Sequence, residues 1–391
     1  MGEAGDGIAL CDGQQLRLPR VLPGEIVDVE DGKVISIQRP SPERVPPFCD
    51  KFATCGGCKL QHWHGTPYGV WKRAQLEAAL AARSLHPAIA PLLDAHGEGR
   101  RRASLHVRTV DGMWRAGYMS EKSHRLCALE VCPVLVPELA HAPAIVADFG
   151  PVLGSCDVLV TAADNGLDVA VKAERKALPN RLAALQDIFR RRRMLRLAVN
   201  GEELMAEAAP AVRLGRSVVR LPVEPFLQAT KAGENILSGL VMEGLGPCKS
   251  VADLFCGLGP FALRLAEHMS VAAFDSDRDA TAQLGDAVRR TQGLKPVTCE
   301  VRNLYRAPLT PAELNCFGGV VFDPPRAGAM AQAQMIARSR VRRVVAVSCD
   351  VQTFARDAAI LVAGGYRFEK AVPVDQFKWT AHLESVGIFS R

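Results

Sequence analysis

Apolar and polar positions change rhythm along the 391-residue chain. Between residues 7 and 38 they alternate with a period of two, as in Gly7-Ile8-Ala9-Leu10, Ile26-Val27-Asp28-Val29 and Val34-Ile35-Ser36-Ile37. Asp12-Gly13, Pro23-Gly24 and Asp31-Gly32 punctuate them, which predicts a small antiparallel meander too short to close a full barrel. The proline-rich stretch from Arg39-Pro40 to Pro46-Pro47 ends this unit. From about 100 to 223, strands such as Ser104 to Val110 and Val158 to Thr161 mix with a helical stretch from Leu178 to Arg192, a mixed α+β pattern. After Pro225 the pattern becomes βα alternation. Strands are expected at 251–255, 271–274, 297–301, 319–322 and 344–347, with helices from Phe261 and near 279–290. Such alternation predicts a mainly parallel, doubly wound α/β sheet with ligands at the strand C-terminal ends. The expected domains are 1–47, 48–224 and 225–391, and no internal repeat is visible.

Composition narrows the class. Hydrophobic residues make up 48% and charged residues 23%, ordinary globular values that exclude a disordered chain. No apolar run spans a bilayer, and Met1 to Asp6 lacks the basic start of a secretion signal, so a cytoplasmic protein is expected. Forty-eight Lys and Arg against 42 Asp and Glu give +6, a mild excess. Much of it gathers in the middle third, at Arg100-Arg101-Arg102 and Arg190 to Arg193, which suits a polyanionic partner.

Twelve cysteines in a cytosolic chain are expected to be reduced, so clustering points to metal or catalysis. Cys49, Cys55 and Cys58 are separated by five residues and then two, with Gly56-Gly57 letting the backbone wrap tightly. Cys132 is the best-placed fourth ligand and Cys127 its competitor. Thiolate ligation suits zinc or an iron-sulfur cluster, and spacing does not separate them. Four thiolates would leave no open iron, so a structural role is expected.

Two further groups carry chemistry. In Asp253-Leu254-Phe255-Cys256-Gly257-Leu258-Gly259, two glycines stand where strand turns into helix and backbone must approach a ligand. Asp275 ends the next strand, where a carboxylate accepts ribose hydroxyls, and Asn303 follows the third strand, where its amide can meet an adenine edge. Without a third glycine, an adenosyl cofactor fits better than a dinucleotide. Asp323, held by Pro324-Pro325, ends the fourth strand, and Cys349 ends the fifth. Thr380 to Ile388 reads as a final strand carrying Glu384. A thiol and a carboxylate beside an adenosyl pocket suit methylation of a pyrimidine at carbon 5, with Cys349 as nucleophile at carbon 6 and Glu384 as base.

These motifs resemble, almost end to end, the RNA uridine-5 methyltransferase family of S-adenosylmethionine-dependent tRNA and 23S ribosomal RNA enzymes. Leu22-Pro23-Gly24-Glu25 with Ser41-Pro42-x-Arg44 looks like a shortened TRAM barrel, an RNA-binding module. The resemblance implies a four-iron four-sulfur cluster on Cys49, Cys55, Cys58 and Cys132, in an α+β middle domain followed by a Rossmann-like methyltransferase domain. It implies cofactor contacts from Gln228, in Phe226-Leu227-Gln228, and from Phe255, Asp275, Asn303 and Asp323, beside Gly257 and Gly259. Ser348-Cys349 matches its nucleophile motif, and Asp375-x-Phe377-x-x-Thr380-x-His382-x-Glu384 its base segment. Thr353, Arg356 and Asp357 continue the pattern downstream of the nucleophile.

Two departures stand out. Pro260 replaces an asparagine after the glycine turn, and Asp350-Val351 replaces Asn-Pro after the nucleophile, where a carboxylate is expected to raise the thiol pKa. The expected partner is structured RNA, 23S ribosomal RNA in preference to tRNA, with the target base flipped out and the protein monomeric. Cytosine-5 methylation is disfavoured because its Pro-Cys motif is absent. A non-catalytic RNA-binding member is the remaining rival.

Overall fold

The computed structural model describes residues 1–11, 13–121, 123–174 and 180–391. Asp12 of the first expected turn and Leu178 at the start of the expected helix lie outside the described residues.

At the N-terminus, Gly7–Cys11 pairs with Gln14–Leu18 and Ile26–Glu30 with Lys33–Arg39, both antiparallel. They form two separate hairpins rather than the continuous meander expected from alternation. The Leu22 to Glu25 turn comes between them, and the Glu25 carboxylate organises it by accepting from Leu22 N. Glu25 also takes two bonds from Arg44, at 2.5 and 2.7 Å, so the turn is clamped to the proline-rich stretch. A bidentate guanidinium–carboxylate pair fixes orientation as well as distance.

The middle sheet has seven strands, in the order 202–206, 194–199, 166–172, 156–163, 102–110, 113–119 and 126–128. All neighbours are antiparallel except 166–172 with 194–199. A parallel pair needs a crossover, and helix Leu182–Arg191 supplies it, burying Leu185, Ile188 and Phe189 while Arg190 and Arg191 stand in its last turn.

The largest sheet runs 297–301, 270–275, 250–254, 319–322, 343–348, 384–390, 367–375, and the first five strands are parallel. Its order reverses between 250–254 and 319–322, so loops on either side part at the strand C-terminal ends and leave room for a ligand. Helix Lys231–Leu245 packs on 343–348 and 384–390. Residues 88–89 and 93–94 add to the far edge by pairing with 367–375.

Two further expectations change, and one helix is new. The final strand starts only at Glu384, because Thr380 Oγ1 bonds Phe377 O at 2.7 Å and this local turn competes with the ladder. The helix expected from Phe261 is one turn, Ala262–Leu265. Helix Gly65–Ala81, which no expectation covered, packs against helix Val351–Ala363. Its buried face is Tyr68, Lys72, Leu76, Ala79 and Leu80, so a lysine interrupts the apolar period by which such a helix is recognised. Among the described residues no helix is long and apolar enough to cross a membrane.

Candidate active site

The glycine turn lies at the end of strand 250–254. Phe255, Gly257 and Gly259 all have positive φ, +62°, +51° and +81°. At Gly259 a Cβ would sit 2.4 Å from Leu284 Cδ1, so this glycine lets helix Arg278–Arg290 pack closely. At Gly257 nothing lies within 4 Å of where a Cβ would be, which leaves the turn open. Asp275 ends its strand as expected, and its carboxylate accepts from Gly257 N and Asp277 N, both at 2.8 Å, locking the turn to the second strand. Asn303 is exposed, and its Oδ1 accepts from Tyr305 N and Arg306 N. Its amide nitrogen is therefore the end that can face a ligand. Tyr305 stands 5.4 Å from the Phe255 ring. The Pro260 carbonyl accepts from Arg264 Nη1 at 2.9 Å.

Three reactive groups meet at the neighbouring strand ends. Asp323 Oδ2 accepts from Gln228 Nε2 at 2.9 Å. Gln376 Nε2 donates to Gln228 Oε1 at 2.7 Å and to Glu384 Oε1 at 2.9 Å, while Gln376 Oε1 accepts from Ala229 N at 3.0 Å. One relay of amides thus joins Asp323 to Glu384. Glu384 is 3% exposed, not a solvent-facing strand residue, and its Oε2 has no hydrogen-bond partner. Burial, then Asp323, push Glu384 up to about 8, and burial pushes Asp323 up to about 7. Burial, then Glu384 and Asp323, push Cys349 up to about 11, with Arg326 opposing.

Asp350 is not among the causes of that rise. Its carboxylate caps helix Val351–Ala363, accepting from Gln352 N at 3.1 Å and Thr353 N at 2.9 Å. The expected penalty on the thiol is thus replaced by a helix cap that fixes the nucleophile turn. Thr353, Arg356 and Asp357 hold the loop after Asp323, through Arg326 O, Ala327 O and Ala329 N.

The segment carrying Glu384 is anchored from afar. Asp375 accepts from Tyr68 Oη at 2.6 Å and pairs with Lys72 Nζ at 2.9 Å, and Lys72 also bonds His382 O. Lys72 is 0% exposed and Asp375 2%. Lys59 N and Leu60 N, just after Cys58, both donate to Trp379 O.

An RNA methyltransferase of Brucella suis, named as uncharacterized, is 40% identical over 399 residues, covering 100% of this chain and 96% of its own. A 23S rRNA (uracil(1939)-C(5))-methyltransferase of Dichelobacter nodosus is 30% identical over 415 residues, covering 99% of this chain and 96% of its own. A family model described as tRNA (uracil-5-)-methyltransferase matches residues 297–391, the span holding Asn303, Asp323, Cys349 and Glu384. The chain belongs to the RNA uracil-5 methyltransferase family. The tRNA (uracil-54, C5)-methyltransferase of Pyrococcus abyssi, solved with S-adenosyl-L-homocysteine, shares the fold. Its TM-score is 0.75 over 98% of this chain and 97% of that one, at 21% identity.

The site fits the S-adenosyl-L-methionine that RNA uracil-5 methyltransferases use. Gly257 leaves an open approach beside Asp275, and neither Asp323 nor Glu384 has an ion-pair partner among the described residues. A positive charge beside Asp323 would favour its ionised form, which burial otherwise disfavours, so a sulfonium fits there.

Cys49, Cys55, Cys58 and Cys132 line one cavity of about 50 Å³, whereas Cys127 is not part of its lining and contacts Thr54 Oγ1 at 3.3 Å. Among the described residues no three His, Cys, Asp or Glu side chains converge to hold a single metal ion. Arg100 Nε and Nη2 and Gln61 Nε2 are buried without partners, and both residues line this cavity. Unpaired donors around four thiols suit an anionic group with several acceptor sulfurs.

Sequence reasoning had not singled out Gln376, Lys72 or Tyr68. Gln376 and Asp375 adjoin within the base motif, and an amide in a segment otherwise rich in aromatic and charged residues was the available signal.

Proposed function

We propose that the protein methylates carbon 5 of a uridine in 23S ribosomal RNA through a transient bond from Cys349. The observation that carries this reading is the convergence of Cys349, Asp323 and Glu384 at adjoining strand ends, with Gln228 and Gln376 linking the two acids. S-adenosyl-L-methionine supplies an electrophilic methyl group. Cys349, its thiol proton released to solvent, adds as a thiolate to carbon 6 of the uracil, and the negative charge left on the ring makes carbon 5 nucleophilic. On taking the methyl group, carbon 5 would leave the cofactor as a neutral thioether. Once carbon 5 carries the methyl group, Glu384 Oε2 takes the carbon 5 proton, and the sulfur leaves as the 5,6 double bond re-forms. Gln228, Phe255, Gly257, Gly259, Asp275, Asn303 and Asp323 hold the cofactor. Asp323 accepts hydrogen bonds or stands against positive charge there, oriented by Gln228.

The same reading gives residues 48–224 a four-iron four-sulfur cluster on Cys49, Cys55, Cys58 and Cys132, supported by their shared cavity and the donors around it. Residues 1–47 act as a truncated TRAM-like barrel that holds RNA with the Arg-rich middle segment, and 225–391 carry the chemistry. The 23S target is favoured by the name of the Dichelobacter nodosus relative, which is 30% identical and covers 99% of this chain. A tRNA target is the second reading, favoured by the family model's description. Incubating the protein and S-adenosyl-L-methionine with 5-fluorouridine-containing 23S fragments or tRNA tests both. A covalent adduct with the ribosomal fragment alone is expected. An adduct with tRNA alone overturns the target, and no adduct with either overturns the mechanism.

A further inference from the structure

Cys349 faces more than the cofactor side of the sheet. A cavity of about 440 Å³ opens beside it, walled by Trp71, Ala74, Gln75 and Ala78 of helix Gly65–Ala81 and by Cys349 and His382. None of the cofactor positions Gln228, Phe255, Gly257, Asp275, Asn303 or Asp323 lines it. It is therefore a space apart from those positions, with the nucleophile in its wall.

We propose that this chamber binds the base of a nucleotide directly adjacent to the target uridine in the same RNA strand. The proposal rests on the RNA methylation reading above and adds a recognition site to it. The volume lies within the range of small-molecule sites. Trp71 offers an indole at the wall, and base stacking on aromatic side chains is how unpaired RNA is held. Gln75 also lines the chamber, and its amide Nε2 has no partner within the fold. Ala74 and Ala78 are exposed and small, so the helix face stays open where a base must enter. Asp350 and Glu3 also line the chamber, and two carboxylates repel phosphate, which favours the base over the backbone as occupant. Cys349, which reaches the target base in the reading above, is itself in the wall of this chamber, so the occupant is an immediate neighbour of the target, not a distant nucleotide.

The experiment measures binding and methylation of an RNA fragment carrying an abasic residue immediately 5′ or 3′ of the target. For the wild-type protein one of the two is expected to weaken binding about tenfold to a hundredfold, the value of one stacked base. Trp71→Ala is expected to weaken binding of intact RNA by a similar factor, with no further loss on that abasic RNA. Because Trp71 packs near Trp63 and Tyr68, a second variant fills the chamber from exposed Ala78. Ala78→Phe is expected to weaken RNA binding alike while S-adenosyl-L-methionine affinity is unchanged. If wild type is indifferent to both abasic positions, or the Trp71→Ala and abasic losses multiply, the chamber holds no base. The 5-fluorouridine adduct separates the two readings. An adduct without neighbour dependence overturns the chamber alone, whereas no adduct overturns the methylation mechanism on which it rests.

Discussion

Gln376 donates a hydrogen bond to Glu384 Oε1 at 2.9 Å, and Glu384 Oε2 is left buried and unpartnered. One carboxylate oxygen is thus fixed and the other is free to take a proton. The same amide holds Gln228, which holds Asp323. Replacing Gln376 with Leu strands Gln228 Oε1, Glu384 Oε1 and Ala229 N, and also removes a bond that lowers the Glu384 pKa. Gln376→Leu is expected to lower kcat about ten- to a hundredfold and to move the rising limb of the pH–rate profile to higher pH. A kcat loss with an unmoved profile would reduce Gln376 to a packing residue.

In the proposed mechanism Cys349 supplies the bond to the base and none to the cofactor. Cys349→Ala is expected to lower methylation by on the order of 10⁴-fold or more while S-adenosyl-L-methionine affinity stays within about twofold. Single-turnover assays and calorimetry check the two halves separately.

In the proposed mechanism Glu384 acts after the bond has formed. Glu384→Gln is expected to form the Cys349–RNA adduct with natural uridine and to accumulate it, with release slowed about 10²- to 10⁴-fold. A gel-resolved complex that survives denaturation is the readout, and normal turnover would remove Glu384 from the mechanism.

Burying Glu384 also has a thermodynamic consequence. Its pKa is raised from the usual 4.5 to about 8. Between those values the folded protein binds more protons than the unfolded chain, so this stability is fully present below pH 4.5 and is lost as pH rises through about 8. Glu384→Gln removes the loss. Its Tm is expected to exceed that of wild type at pH 8 and to converge with it near pH 4, which a Tm–pH series measures.

The cysteine cavity predicts a metal content. Protein purified without oxygen is expected to be brown, with about four irons per chain. Cys132→Ala is expected to lose iron and Cys127→Ala to keep it. Colourless protein with stoichiometric zinc would replace the cluster by a single ion, and equal iron loss in both variants would unseat Cys132.

Much of this molecule was legible in its amino acids. The βα alternation after Pro225 gave strands 297–301 and 319–322 to the residue, and with them the parallel sheet and hence the layer that holds Asp323 and Cys349. The glycine turn was readable because positive φ and close helix packing leave a local signature. Helix 65–81 was not readable, since Lys72 occupies its buried face. The start of the last strand was not either, since Thr380 favours a local turn over the ladder.

By itself the sequence determined which groups can react: a thiol and two acids at strand ends, and a cysteine cluster with glycine between its ligands. Only the tertiary structure decided what each group feels. Lys72 meets Asp375 across 303 residues, and Asp350 turns from a neighbour of the thiol into a helix cap. Periodicity and spacing act over a few residues, whereas burial and hydrogen-bond partners depend on which distant elements pack together. Residue order fixes the chemistry on offer, and long-range packing sets its protonation and aim.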